Sequence, residues 1–393
     1  MHIAIITSGT LPVPSVRGGA VEHLVELYLK ENEKNPVHEF TLYTVDDALL
    51  SQKVKSLYKH TKIVRVKTLS LRYRLGRFIF KHTVGKYYSN LYLDYFIKNC
   101  INFIKKEKYD AFLLENRFEF VLPLYKQNLR PIIVHDHVER LCKMQRDLAV
   151  KISKACVKII AVSDYIANQD RRVYDKGHIL TLHNGIELEK FQVKGERSKY
   201  HLNNNDFVVV FFGRLEPIKG VKELIDAIFI LQDIPALRLF IIGGNPFHEG
   251  RYRTDFVKDI SKLASKLGDR IIFSGYIPYE QIPDALSCCD LSVLPSTWNE
   301  PFGLTVLETM AAGLPLITTN SGGIPEVVCS ESAILLDKTS PDLASDIATS
   351  IRDLYKNPSR LEQMSIAAKK RSKLFPAEKF AKKMLDSLSS IQK

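Results

Sequence analysis

Short, continuously apolar runs recur along the chain, and most of them end in glycine, proline, serine or asparagine. His2–Thr7, Thr41–Val45, Ile63–Val66, Ala111–Leu114, Pro131–His135, Ile159–Val162 and Ile179–Leu182 form one series. Phe207–Phe212, Leu239–Ile242, Ile271–Ser274, Leu291–Leu294 and Pro315–Thr319 form another. Runs without polar alternation predict strands buried on both faces, the pattern of parallel sheets covered by helices. Between them, apolar positions return at helical spacing. Examples are Val21, Leu24, Val25 and Tyr28; Val221, Leu224, Ile225, Ile228 and Leu231; Leu304 to Ala312; and Phe380, Met384, Leu388 and Ile391. The prediction is an α/β protein of two similar doubly wound halves. Gly195–Asn205 is polar, charged and glycine-bearing, and reads as the linker between them.

A length of 393 residues also favours two domains over one core. Hydrophobic residues at 45% and charged residues at 25% are ordinary for a globular protein. No apolar run approaches the roughly 20 residues that span a bilayer. Met1-His2 leads straight into a strand without a basic leader, so a cytoplasmic protein is expected. The six cysteines form no C-x-x-C pair and no zinc spacing. The net charge of +12 points to an anionic partner, and its distribution is uneven: between Lys53 and Lys108 the only acids are Asp94 and Glu107. Within that span Leu71–Asn99 is amphipathic, basic and rich in aromatics. It reads either as a helix in an anionic membrane interface or as an ordinary helix with a solvated basic face. No nucleic-acid-binding module accompanies the charge.

The candidate chemistry concentrates in Asn299–Glu326. After the strand Leu291–Leu294, the residues Pro295, Pro301 and Gly303 make a loop, and a helix begins at Leu304. A loop and a helix start then sit at the carboxyl ends of parallel strands, where open α/β sheets bind ligands. The backbone N–H groups of Leu304 and Thr305 are available to a phosphate. Glu308, one turn on, suits the cis-diol of a ribose, and Glu300 suits the hydroxyls of a second sugar. Gly322 and Gly323 permit close backbone approach. On the loop after Phe207–Phe212, Arg214 and Lys219 are placed to neutralise a diphosphate, flanked by Gly213 and Gly220. His135 and His137 share one side at a strand end. No third metal ligand and no Asp-x-Asp signature is evident, so no metal is expected.

Glu300 and Glu308, followed by Met310-Ala-Ala-Gly-Leu-Pro and Gly322-Gly-Ile-Pro-Glu326, resemble the retaining glycosyltransferases of family four. The opening Leu11-Pro-Val-Pro-Ser-Val-Arg-Gly-Gly is similar to that of cell-surface polysaccharide and spore-coat members. The resemblance implies the GT-B architecture, two Rossmann-like doubly wound domains facing a central cleft. Residues 1–194 would bind the acceptor, with the helix at 377–393 crossing back to them, and residues 206–376 would bind the nucleotide sugar. It further implies that Gly18 and Gly19 approach the donor phosphate and acceptor, and that His135 faces the reacting sugar. Gly213, Arg214 and Lys219 would hold the diphosphate, with Gly244 as another approach point. Tyr276 and Ile277 would hold the base through their backbone, and Glu300, Phe302, Gly303, Leu304, Thr305 and Glu308 would complete the donor site. His135, Arg214, Lys219 and Glu300 are the expected catalytic residues, working without metal or other cofactor. The implied reaction is front-face transfer of a hexose or N-acetylhexosamine, by family habit from a UDP-linked donor, to a glycan or lipid-linked acceptor. An anionic membrane surface, met through residues 53–108, is an expected partner, and nucleic acid is not. The alternatives are a sugar-nucleotide epimerase of the same fold and a non-catalytic coat or scaffold protein.

Overall fold

The computed structural model describes residues 1–50, 57–67, 91–243 and 255–392. Gly244 and most of the basic amphipathic stretch lie outside the described residues. The described chain divides into two compact units, Met1–Gly185 with Ala377–Lys393, and Ile186–Pro376.

In the first unit, β1 (His2–Ile6), β2 (Glu39–Val45), β3 (Thr61–Val66), β4 (Ala111–Glu115), β5 (Ile132–Asp136), β6 (Lys158–Ala161) and β7 (Ile179–Thr181) form one sheet. Its order is β3-β2-β1-β4-β5-β6-β7, and every pairing is parallel. In the second unit, β8 (Phe207–Phe212), β9 (Leu237–Ile242), β10 (Ile271–Gly275), β11 (Leu291–Leu294), β12 (Leu316–Thr319) and β13 (Ala333–Leu336) form another. Its order is β10-β9-β8-β11-β12-β13, again all parallel. Each sheet therefore winds outward in both directions from a central pair, β1/β4 or β8/β11. The crevice at the carboxyl ends of that pair is where such sheets take ligands.

The helices that position these crevices follow the sequence pattern. Helix α1 (Ala20–Lys34) starts directly after Gly19, and α2 (Asp164–Arg171) is capped by Ser163, whose Oγ accepts from the Ile166 N–H at 3.1 Å. In the second unit α3 (Val221–Ile230) follows Gly220, and α4 (Leu304–Ala311) follows Gly303. The short α5 (Ile324–Val327) follows Gly323. The last helix, α6 (Ala377–Ser389), belongs to the first unit, where it packs on α1 and buries Phe380, Met384, Leu385 and Leu388. Each such burial is worth roughly 1.5–3 kcal/mol. The Lys158 ammonium adds a hydrogen bond to the Ser387 carbonyl at 2.6 Å. No helix among the described residues is long and apolar enough to cross a membrane.

The expected linker is corrected. Gly195–Asn205 is fastened to the second unit, and the units part at Gly185/Ile186 and Pro376/Ala377. Arg197 donates to both oxygens of Asp290 at 2.8 Å and to the Cys288 carbonyl at 3.0 Å, and the Gly195 N–H donates to Ser287 Oγ at 2.7 Å. A Cβ on Gly195 would stand 2.3 Å from the Asp284 carbonyl oxygen, so glycine serves close approach there and not freedom.

Candidate functional site

In the second unit the crevice is built by the loops after β8 and β11. Gly220 adopts φ +72°, and a Cβ on it would lie 1.9 Å from the Pro295 carbonyl oxygen, so only glycine lets the two loops touch. The Ile218 carbonyl then accepts from the Thr297 N–H at 3.0 Å, and Ser296 Oγ lies 3.2 Å from that carbonyl oxygen. This stitching brings Lys219 to Glu300, with Nζ 2.5 Å from Oε1, both side chains mostly buried. Ser296 Oγ donates to the same Glu300 oxygen at 2.7 Å, and Lys219 Nζ lies 5.1 Å from the centre of the Trp298 ring. From the other side, the Gly323 N–H donates to the Glu300 carbonyl at 2.7 Å. Gly322, at φ +55°, leaves room that a Cβ would fill only 2.1 Å from that oxygen.

The other expected donor residues are placed as follows. Gly303 adopts φ +94°, and the first bond of α4 runs from the Leu307 N–H to the Gly303 carbonyl, leaving the N–H groups of Leu304 and Thr305 at the helix start without helical partners. Glu308 is buried on α4, and burial pushes its carboxyl up to about 8 although the Tyr279 hydroxyl hydrogen-bonds to it. Gly213, at the end of β8, receives Gly243 so closely that a Cβ on Gly243 would be 2.1 Å from its carbonyl oxygen. Tyr276 and Ile277 follow Gly275 at the end of β10, with Tyr276 exposed.

Three side-chain placements bear on those expectations. Arg214 does not join Lys219: its guanidinium is exposed and donates to Glu216 at 2.9 Å. Phe302 turns inward, 2% exposed and edge-on to Phe375 at 5.9 Å, so its side chain is core. Lys219 and Glu300, expected on opposite duties, are partners of each other. Ser296, Trp298 and Tyr279 were not foreseen, because only the folded loops bring them to Glu300, Lys219 and Glu308.

At the corresponding crevice of the first unit, Gly18 (φ +74°) and Gly19 (φ +105°) lead into α1, which carries the buried Glu22. Burial raises the Glu22 carboxyl, and Ser8 Oγ donates to it at 3.0 Å. His135 is fully enclosed, with its ring stacked on Phe380 at 6.1 Å and its Nε2 buried without a partner among the described residues. His137, two residues on, keeps 6% of its surface open. Between them stands Glu115, the end of β4, which sequence reasoning missed: Oε2 lies 3.0 Å from His135 Nδ1 and 3.1 Å from His137 Nε2. Its other oxygen accepts from the Tyr28 hydroxyl at 2.8 Å. Burial pushes Glu115 up, but the two histidines hold it at about 2.

Glu115 thus supplies the third metal-ligand type that the sequence did not reveal, and the three ligand atoms lie within 4.8 Å of one another. The three ligand atoms stand 3.0–3.1 Å apart, as hydrogen-bonded groups do. A metal on His135 Nδ1 would leave its Nε2–H buried with no acceptor among the described residues, where metal-bound histidines have one. The trio is better satisfied as a hydrogen-bonded cluster.

Residues 193–371 match the family described as glycosyl transferases group 1. That segment, a little under half of the chain, is what resembles the group 1 glycosyltransferases. The chain is 27% identical to spore coat protein SA of Bacillus subtilis, over 84% of the chain and 83% of that relative. It is 28% identical to a D-inositol 3-phosphate glycosyltransferase of Streptomyces avermitilis, over 58% of the chain and 50% of that relative. In fold it is similar to the sucrose-phosphate synthase of Thermosynechococcus elongatus, with a TM-score of 0.78 at 20% identity, covering 100% of this chain and 99% of that one. It is likewise similar to Anabaena Alr3699/HepE, solved in complex with UDP-glucose, with a TM-score of 0.75 at 20% identity, covering 99% of this chain and 100% of that one. The fold is GT-B, with two Rossmann-like domains, as the motif resemblance implied.

Proposed function

We propose that this protein is a glycosyltransferase, and that it moves a hexose or N-acetylhexosamine, with retention, from a UDP-linked donor to a glycan or lipid-linked acceptor in cell-surface polysaccharide synthesis. The observation that carries the reading is the contact of Lys219 with Glu300 in the loop that leads from β11 into α4, beside the central strand pair of the second sheet and inside the segment that matches the family. The acceptor oxygen attacks the anomeric carbon on the face from which the diphosphate leaves. The bond to the diphosphate breaks, and the acceptor proton passes to a leaving phosphate oxygen. Lys219 and the N–H groups of Leu304 and Thr305 stabilise the negative charge on the leaving group, and Arg214 adds a second cation by swinging from Glu216. Glu300 exchanges Lys219 for hydroxyls of the transferred sugar, and Glu308 takes the ribose diol. The complex of HepE with UDP-glucose supports UDP as the first nucleotide to try.

The test is nucleoside diphosphate release from UDP-glucose, UDP-N-acetylglucosamine and GDP-mannose, with and without a lipid-linked glycan, with NMR of the product's anomeric centre. We expect acceptor-dependent release of UDP with retention. A charge-assisted hydrogen bond is worth roughly 1.5–3 kcal/mol, so Lys219→Ala should lose at least about ten-fold in turnover. Full turnover in Lys219→Ala, or inversion in the product, would sink the mechanism. A scaffold role is the second reading, prompted by the name of the Bacillus subtilis relative. It predicts nucleotide binding with no turnover of any donor.

A further inference from the structure

Glu115 is not among the residues assigned to the donor above, yet it is fully buried and carries three hydrogen bonds, from Tyr28 on α1, His135 on β5 and His137 just past β5. Two ring nitrogens, His135 Nδ1 and His137 Nε2, face one carboxylate oxygen while standing 3.1 Å from each other. A lone pair from either ring aimed at that oxygen would be repelled, so each ring satisfies it by donating an N–H. The carboxylate therefore selects the tautomers: His135 carries its proton on Nδ1 and His137 on Nε2. The Tyr28 hydroxyl on the second oxygen keeps the carboxylate from rotating. The consequence differs for the two rings. The remaining nitrogen of His135 is sealed in beside Phe380. The remaining nitrogen of His137, Nδ1, makes no hydrogen bond among the described residues, and His137 retains open surface just past the end of β5.

We propose that Glu115 is a positioning residue: anchored by Tyr28, it fixes His137 in the Nε2–H tautomer and so presents Nδ1 as a hydrogen-bond acceptor to a substrate hydroxyl at the carboxyl ends of the first sheet. The glycosyltransferase reading supplies the identity of that hydroxyl, on the transferred sugar or the acceptor. The tautomer itself stands apart from that reading. His137, and not the enclosed His135, is then the imidazole that meets substrate.

Long-range proton–nitrogen correlation on the full chain labelled at histidine reads the tautomers directly. The wild type should show His137 protonated on Nε2 only and His135 on Nδ1 only. Glu115→Gln has one acceptor oxygen in place of two and adds an N–H2 donor. It should turn His137 into a tautomer mixture and lower kcat by about ten- to a hundred-fold, with donor KM within about two-fold. Tyr28→Phe keeps the carboxylate and serves if Glu115→Gln does not fold; it should lower kcat by about three- to ten-fold, again without moving KM. A proton on Nδ1 of His137 in the wild type overturns the proposal, as does an unchanged tautomer in Glu115→Gln or a changed tautomer with unchanged kcat. A wild type that transfers no sugar would remove the function proposed above, while the nitrogen signals would still decide the tautomer.

Discussion

Glu300 and Lys219 satisfy each other, so a donor that binds between them has to replace that contact with its own. The two substitutions should therefore separate. Glu300→Gln releases the Lys219 charge and should leave UDP affinity equal or higher by calorimetry while transfer falls at least about ten-fold. A matching loss of UDP affinity would count against the pairing. Glu308 gives a second prediction. The folded carboxyl holds its proton up to about pH 8, while the unfolded one loses it near 4.5, so stability declines as pH rises through that window. Melting curves of Glu308→Gln should be flatter between those limits. If a ribose diol binds the ionised form, UDP binding at pH 7 should release a proton. Calorimetry in buffers of different ionisation heat would detect that release, and Glu308→Gln should abolish it. The acidic and basic side chains of the proposed donor site stood out in the sequence because they lie beside glycines and prolines at strand ends. Their pairings were not: Lys219 and Glu300 are 81 positions apart, Tyr28 and Glu115 87 apart, and Arg214 chose a neighbour two residues away.

Among the elements, the loops around Glu300 are the most exacting. Gly322→Ala would combine a left-handed backbone with a Cβ 2.1 Å from the Glu300 carbonyl oxygen. It should cost about 2–4 kcal/mol in urea denaturation, from roughly 1–3 kcal/mol of backbone strain plus displacement of the loop. Gly18→Ala is the control: its φ of +74° is similar but nothing lies within 4 Å of a Cβ, so the expected cost is only the backbone strain. Equal losses at the two sites would refute the steric argument. The strands were readable because parallel strands covered on both faces have no reason to alternate. Gly195–Asn205 misled because composition records exposure and not attachment. Its anchor, Arg197 on Asp290, spans 93 positions.

At the scale of the whole molecule, the second unit is one unbroken stretch, Ile186–Pro376, whereas the first is assembled from both ends of the chain. Residues 186–376 expressed alone should unfold cooperatively. Residues 1–185 alone should not, because the apolar face that α6 covers on α1 would be bare, and a peptide of residues 377–393 should restore cooperativity. Cooperative melting of 1–185 without the peptide would contradict this. The arrangement also bears on synthesis. A nascent chain exposes residues 1–185 before the rest, yet the unit they form lacks the cover of α6 until residues 377–393 emerge. The interior module can close earlier, reversing the usual order in which domains mature during translation.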